Sequence, residues 1–238
     1  MKLTVITVNF NNRNGLNNTL DSIVNQVGVD FNDVEWILID ALSTDNSLDI
    51  LDSYTLPFNF KVISESDSSI YDGMNKGIRM ASGEYVQFLN SGDIFENNNA
   101  LSAIFDSITN SKIDCFLFGF AYLNKFKLPR PLYWRFWSLP TSHQAIIYNR
   151  NVFIDNYYSL KYRLASDYHH FMGLCRGNYS FHRVNFILTR NEKYGSDTNM
   201  ELLQSEYRSV LSQFSNPLVG YTINYIKFLY IRLLQYCL

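Results

Sequence analysis

An α/β fold with a mostly parallel central sheet flanked by helices is what this sequence predicts, and three observations carry the prediction. Short apolar or β-branched runs at Leu3 to Phe10, Val34 to Asp40, Phe60 to Ser64 and Tyr85 to Asn90 each end in polar residues, as strands do. Helix-length segments at Leu16 to Val27, Asp45 to Tyr54 and Ile70 to Ala81 separate them. Strands alternating with helices pair in parallel, because a parallel crossover needs that intervening length. Polar residues also gather directly after the strands, at the sheet edge where open α/β folds bind ligands.

In the helix at Ile70, Ile70, Met74, Ile78 and Ala81 share one face, which is expected to pack on the sheet. Asp72, Asn75, Lys76 and Arg79 share the other, and for Lys76 and Arg79 the expectation is solvent. Beyond residue 93 the alternation loosens. An apolar strand at Cys115 to Phe120 leads into an aromatic and basic stretch from Tyr122 to Trp137. That stretch reads either as an ordinary β-hairpin or as a surface for a sugar or for anionic lipid. A helix from Ala165 to Cys175, a strand from Phe181 to Leu188 and a helix from Asn199 to Phe214 complete one domain, residues 1–214. The apolar stretch from Pro217 to Leu238, broken by Asn224, Lys227, Arg232 and Gln235, extends it at 215–238. It reads as a helix lying in a membrane interface, since a central Lys and Asn are costly inside hydrocarbon. Packing against protein is the alternative.

At 238 residues with a net charge of −2, the chain can bury a sizeable core but offers no basic footprint for nucleic acid. Cys115, Cys175 and Cys237 show neither disulfide nor zinc spacing, which fits a reducing compartment. Met1-Lys2 runs straight into the first strand with no export signal, so a cytoplasmic location is expected.

The chemistry-bearing residues stand at strand ends: Val8-Asn9-Phe10-Asn11 after the first, Asp40 after the second, Asn90-Ser91-Gly92-Asp93 after the fourth. An acid there can accept a hydrogen bond from a nucleobase or ribose, and an acid in a short turn can meet a metal. Taken singly, each also reads as helix-cap or turn chemistry. Their joint position along one edge favours a ligand.

The ordered set Val5 to Asn11, Ile39 to Asp45, Ser69 to Ile78 and Gly83 to Asp93 resembles family 2 glycosyltransferases. Leu139 to Ile146, Ala165 to Tyr168 and Asn199 to Glu201 resemble in particular the transferases of colanic acid and O-antigen synthesis. The resemblance implies a GT-A fold, Rossmann-like in its sheet, with a nucleotide-sugar half at 1–93 and an acceptor half at 94–214. It implies a nucleotide-diphosphate sugar donor, UDP before GDP, and inversion at the anomeric carbon. Val8, Asn9 and Asp40 match nucleobase and ribose positions, with Asp67 in the same pocket and Asn75 and Ser91 also on the nucleotide. Asp93 matches the acid that binds Mn2+ or Mg2+, Asp167 the base, and His143 a contact to diphosphate or acceptor. The implied acceptor is a lipid-linked saccharide at the inner face of the membrane. Three departures stand out: Ala41-Leu42 replaces a glycine pair, Asn90 replaces an acid, and Met74 replaces an arginine.

Physical chemistry supports the roles independently. A leaving nucleoside diphosphate gains negative charge that a hard divalent cation can stabilise, and such an ion needs only one or two protein carboxylates. Asp167 opens its helix, so it reads equally as an N-cap. His143 reads equally as a packed structural histidine. His169 and His170, about 100° apart on a helix, cannot share one ion and read as packing. Two rival functions remain: a sugar nucleotidyltransferase, whose usual Gly-rich basic loop is not seen here, and a non-catalytic nucleotide-sugar-binding module.

Overall fold

The computed structural model describes residues 1–192, 199–215, 222–223 and 225–226. The expected interfacial helix at 215–238 therefore lies almost wholly outside the described residues. The first half runs β1 (Leu3–Asn9), α1 (Arg13–Val24), β2 (Val34–Asp40), β3 (Asn59–Ser64), α2 (Ile70–Met80) and β4 (Tyr85–Phe88). The second runs β5 (Ile94–Phe95), α3 (Ala100–Ile108), β6 (Cys115–Tyr122), β7 (Lys125–Lys127), β8 (Ile146–Asn149), α4 (Ser166–Arg176), β9 (Phe181–Arg190) and α5 (Met200–Phe214).

All nine strands among the described residues share one sheet, in the order β3-β2-β1-β4-β8-β6-β9-β5, with β7 paired to the end of β6. The block β3-β2-β1-β4 is parallel throughout. On its far side β8 runs antiparallel to both β4 and β6, while β9 returns parallel to β6. The expected α/β architecture is thus present, with its regular part confined to the first half.

β1 and β2 bury every residue. Alternation along a strand sends them to both faces: Leu3, Val5, Trp36 and Leu38 pack with Leu16 and Leu20 of α1 and Leu101 and Ile104 of α3. Ile6, Val8, Ile37 and Ile39 pack instead with Met74 and Ile78 of α2. A strand covered on both faces reads as a continuous apolar run, which is why these were legible. Each such side chain contributes about 1.5–3 kcal/mol by leaving water. α2 lies close on β1 because it carries glycine where the two touch. A Cβ on Gly77 would sit 2.4 Å from Ile6 Cγ2, and one on Gly73 would sit 2.6 Å from Asp67 Oδ2.

Three expectations need correction. The segment Asp45 to Tyr54 forms only a 3-10 turn, Ser47–Ser53. Asn46 enters the left-handed region at φ 60°, and the Asp45 carboxylate is occupied by the amides of Arg13 and Ser47, so no α-helical turn is nucleated. Ile70 faces the cavity described below and is exposed, while Met74, Ile78 and Ala81 are buried as expected. Lys76 is not solvated but pairs with Glu65 at 3.0 Å and with Asp67.

Candidate active site

At the carboxyl ends of β1 and β2 the chain builds a polar cluster. Asn9 Nδ2 donates to Asp40 Oδ1 (2.9 Å) and to Ser43 Oγ (3.1 Å). The Ser43 amide (3.0 Å) and Ser64 Oγ (2.8 Å) donate to Asp40 Oδ2. Burial alone would raise the Asp40 pKa, but the hydrogen bonds from Ser43, Asn9 and Ser64 outweigh it and hold the carboxyl below its ordinary value. Asp40 is therefore a fixed acceptor. Asn9 Oδ1 is buried without a partner, a position that suits a donor from outside the chain. Phe10 and Leu42, which adjoin this cluster in sequence, are exposed apolar side chains beside the polar floor.

Asp67 sits behind the same edge. Its Oδ2 is buried and unpartnered, and burial raises its pKa even though Lys76 pulls the other way. Val8 is buried, with Cγ1 2.9 Å from where a Cβ on Gly73 would lie, so β1, α2 and Asp67 meet at one point.

Beyond the strand ends opens a cavity of about 680 Å³, lined among others by Asn90, Ser91, Asp93, His143 and Asp167. The 3-10 turn at His143–Ala145 organises it. Gln87 Nε2 on β4 donates to the Gln144 carbonyl oxygen (3.0 Å), and Thr141 Oγ1 donates to the Phe118 carbonyl oxygen (2.5 Å), fixing the turn between β4 and β6. Gln144 Nε2 then donates to Asp93 Oδ2 (2.8 Å), while the Glu192 amide donates to Asp93 Oδ1 (2.9 Å). Burial pushes the Asp93 pKa up to about 6, against the opposing pull of the Glu192 amide, His143 and Gln144. Gly92 adopts φ 100°, and a Cβ there would fall 1.8 Å from Glu192 Oε2, so only glycine admits that carboxylate over the turn.

The imidazole of His143 bridges the two sides. Its Nδ1 lies 3.3 Å from Asp167 Oδ2 and its Nε2 lies 3.4 Å from Asn90 Nδ2. A proton on Nδ1 satisfies both contacts, donating to the carboxylate and accepting from the amide. Asp167 Oδ1 accepts from the Tyr168 amide (2.8 Å), and the Tyr71 hydroxyl lies 3.0 Å from both that oxygen and the Leu164 carbonyl oxygen. Burial, with Asp167 adjacent, raises the Tyr71 pKa well above its ordinary value, so the phenol stays a donor.

The N-cap reading of Asp167 does not match this geometry. Ala165 is the N-cap of α4 and makes no side-chain cap bond. The open amides of Arg163, Leu164 and Ala165 are taken by Glu206 of α5 at 2.8, 2.8 and 2.9 Å. Asp167 is left facing the cavity.

The sequence candidates thus fall into two groups and one outlier. Val8, Asn9, Asp40 and Asp67 gather at the β1–β2 edge; Ser91, Asp93, His143 and Asp167 line the cavity. Asn75 joins neither: its amide nitrogen donates to the Tyr158 carbonyl oxygen and its oxygen accepts the Tyr158 amide, both at 2.9 Å, which makes it a buried clamp. His170 stacks on Phe153 with ring centroids 4.8 Å apart, and burial drives its pKa down to about 3, as a packed histidine requires. Sequence reasoning assigned no role to Tyr71, Gln144, Glu192 or Glu206. Gln144 had a signal in its place beside His143; Glu206 had none, because its partners are some forty positions away.

Among solved structures, S. aureus TarS in complex with UDP-GlcNAc superposes with a TM-score of 0.71 at 18% identity, covering 94% of this chain and 70% of that one. A mannosyltransferase from Pyrobaculum calidifontis in complex with GDP-Man and Mn2+ does so at 0.72 and 13%, covering 94% and 69%. These show the fold, the GT-A arrangement expected above. In sequence, a PGL/p-HBAD biosynthesis glycosyltransferase of Mycobacterium tuberculosis is 31% identical over 160 residues, 63% of this chain and 60% of the relative. The poly(ribitol-phosphate) beta-N-acetylglucosaminyltransferase TarP of Staphylococcus aureus is 35% identical over 95 residues, 39% of this chain and 29% of the relative. The match to the mycobacterial relatives therefore spans less than two thirds of their length. Residues 4–180, three quarters of the chain, match glycosyl transferase family 2, and the chain belongs to that family.

Proposed function

We propose that this protein moves a sugar from a nucleotide-diphosphate sugar to a hydroxyl of a lipid-linked saccharide, with inversion, in the assembly of a bacterial surface polysaccharide. The observation that carries this is the His143–Ala145 turn, which places the Asp93 carboxylate and the Asp167 carboxylate on one cavity, linked by Gln144 and His143. The Asn9–Asp40 cluster stands at the adjoining strand ends, where a nucleoside would lie with its base beside Phe10 and Leu42.

The residues present fit a hard divalent ion, Mn2+ or Mg2+. Asp93 is a carboxylate that burial holds partly protonated, and Asn90 Oδ1 is buried without a partner. Both are oxygen donors of the kind such ions take, alongside phosphate oxygens and water. Asp93 and Asn90 would hold it, and the bound ion supplies charge stabilisation for the departing diphosphate. The remaining chemistry belongs to the chain. Asp167, on the far side of the sugar, takes the proton of the acceptor hydroxyl as its oxygen attacks the anomeric carbon and the bond to phosphate breaks. Tyr71 and His143 hold that carboxylate in place from two sides. General-base catalysis of this kind is worth about 10²–10⁴ in rate.

UDP is the nucleotide favoured, since TarS holds UDP-GlcNAc or UDP and TarP is an N-acetylglucosaminyltransferase, although the Pyrobaculum neighbour binds GDP-Man. Thermal-shift measurements against UDP-, GDP- and dTDP-sugars with and without Mn2+ test the reading, since a ligand that binds only the folded state raises its melting temperature. No shift with any of them, metal present, would remove the donor site.

A further inference from the structure

β6 and β7 form a hairpin at the end of β6 that β8 does not cover. β8 pairs with β6 only at Cys115 to Leu117, whereas β7 takes that edge at Phe120 to Tyr122, with β9 still paired to the other edge as far as Ala121. The turn between β6 and β7 is Leu123-Asn124, both left-handed at φ 48° and 60°. Such a two-residue turn favours Asn or Gly, and a leucine there is disfavoured by its own backbone. Folding does not explain the choice.

The surroundings of the turn do. Leu123 is 49% exposed, Phe126 63%, Leu128 53% and Tyr133 67%, a density of bare apolar side chains that water disfavours. Between them stand Lys125, Lys127 and Arg130, and no Asp or Glu occurs anywhere between Asp114 and Asp155 in a chain whose net charge is −2. Among the described residues none of these three cations makes an ion pair. Lys127 Nζ lies 5.3 Å from the Phe120 ring and Arg130 4.1 Å from the Trp134 ring, so the charges are presented on aromatic supports. Exposed apolar side chains interleaved with unpaired cations are the composition that enters a lipid interface.

We infer that the β6–β7 hairpin is the surface by which this protein docks on an anionic membrane, with Leu123 and Phe126 entering the headgroup layer and Lys125 meeting lipid phosphates. Lys127, Leu128 and Arg130 also line the cavity that holds Asp93 and Asp167. The Arg130 amide is bonded to the Pro140 carbonyl oxygen (2.9 Å), three residues ahead of His143. A bilayer seated on the hairpin therefore meets the mouth of that cavity, and an acceptor carried by a lipid reaches Asp167 without leaving its membrane. That use rests on the proposed transfer; the docking itself does not, and it is measured without turnover.

The test is sedimentation of the full-length protein with vesicles of phosphatidylcholine alone and with phosphatidylglycerol added. The wild-type protein is expected to follow the anionic vesicles and to be released by salt. The double variant Leu123→Asn with Phe126→Ser should partition at least about tenfold less, and Lys125→Glu about fivefold or more less. Folding serves as the control with an opposite sign: Leu123→Asn relieves the left-handed leucine, so its melting temperature should hold or rise. Nucleotide-sugar binding should be unchanged in every variant. Vesicle binding by the double variant equal to wild type overturns the inference and passes the contact to another surface. So does a wild type that ignores the vesicles but self-associates through the hairpin, which would mark a second copy of the chain as the partner. Retained vesicle binding with no nucleotide-sugar binding would remove the catalytic reading and leave the docking surface standing.

Discussion

On the parallel side of the sheet, the residues assigned to the nucleoside arise from neighbouring strand ends. Asn9, Asp40 and Ser64 are register partners at the ends of β1, β2 and β3, and Ser43 follows β2 by three residues. On the antiparallel side, Asp93 and Glu192 flank the paired strands β5 and β9, while His143 and Asp167 come from a separate loop and a helix and are drawn to them through side-chain contacts of Gln144 and His143. The first arrangement is a property of the sheet and persists as long as the sheet is folded. The second depends on one short turn, His143–Ala145, pinned by Gln87 and Thr141. On the proposed function the strand-end cluster binds and the turn positions, and substitutions in the two regions should then separate affinity from rate.

The largest effect is expected at Asp167. Asp167→Asn keeps the shape and can still accept from the Tyr168 amide, but it cannot take a proton. The expected outcome is a loss of roughly 10²-fold or more in kcat, with donor affinity and melting temperature retained. Turnover near wild type at saturating donor and acceptor would break the division and move the base elsewhere, with His143 the next group in reach.

The same division explains what could be read from sequence. Val34 to Asp40 was legible to the residue because a strand buried on both faces is a near-continuous apolar run, here interrupted only by Glu35, with a polar stop. Asp40, at that stop, was legible with it. α3 went unassigned although Leu101, Ile104 and Ile108 have helical spacing and Asn99 stands at its N-cap, because nine residues directly after the Asn97-Asn98-Asn99 run read as part of a loop. β8 was hidden for another reason: four residues between two 3-10 turns give no period to detect. Asp167 could be named by resemblance, yet its choice between cap and cavity depended on Glu206, a distant residue that no local pattern connects to it.

Next in size is Asp40. Its carboxylate is held ionised by fixed donors, and in the proposed role it contacts the nucleoside equally before and during reaction, so its loss would remove uniform binding. Asp40→Ala should weaken nucleotide-sugar affinity about 10–100-fold, the value of one charged hydrogen bond, while kcat at saturation stays within about twofold. Isothermal titration with UDP beside saturation kinetics separates the two. A kcat loss approaching that of Asp167→Asn would erase the contrast between the regions.

Asp93 sharpens the comparison through pH. Unfolded, this carboxyl titrates near 3.8; folded, burial lifts it to about 6. Between those values the unfolded chain releases a proton that the folded chain keeps, so rising pH removes stability across that window and no further above it. The full shift corresponds to roughly 3 kcal/mol. Melting curves from pH 4 to 7 should show wild type losing stability relative to Asp93→Ala, and added Mn2+ should restore part of it in wild type alone above about pH 6. A wild-type-minus-variant difference that is flat with pH would remove the buried-acid assignment.

The smallest effect, and the one that probes how the positioning region is held, belongs to Glu206. Its carboxylate receives three amides at the start of α4, where an anion also meets the positive end of the helix dipole. Glutamine at 206 keeps one oxygen but turns an NH2 group toward an amide donor and gives up the charge. Glu206→Gln should therefore cost about 1–2 kcal/mol of stability. Asp167 lies two residues beyond Ala165, so loosening that amide lets the base wander, and kcat should fall by a few-fold while donor affinity is untouched. The discriminating measurement is kcat together with the melting temperature. A stability loss with kcat unchanged would mean that His143 and Tyr71 alone position Asp167, and that the helix start is only scaffold. A few-fold loss in both ties the rate to a residue on α5, beyond the reach of any motif, and locates the control of this site in the packing of two helices.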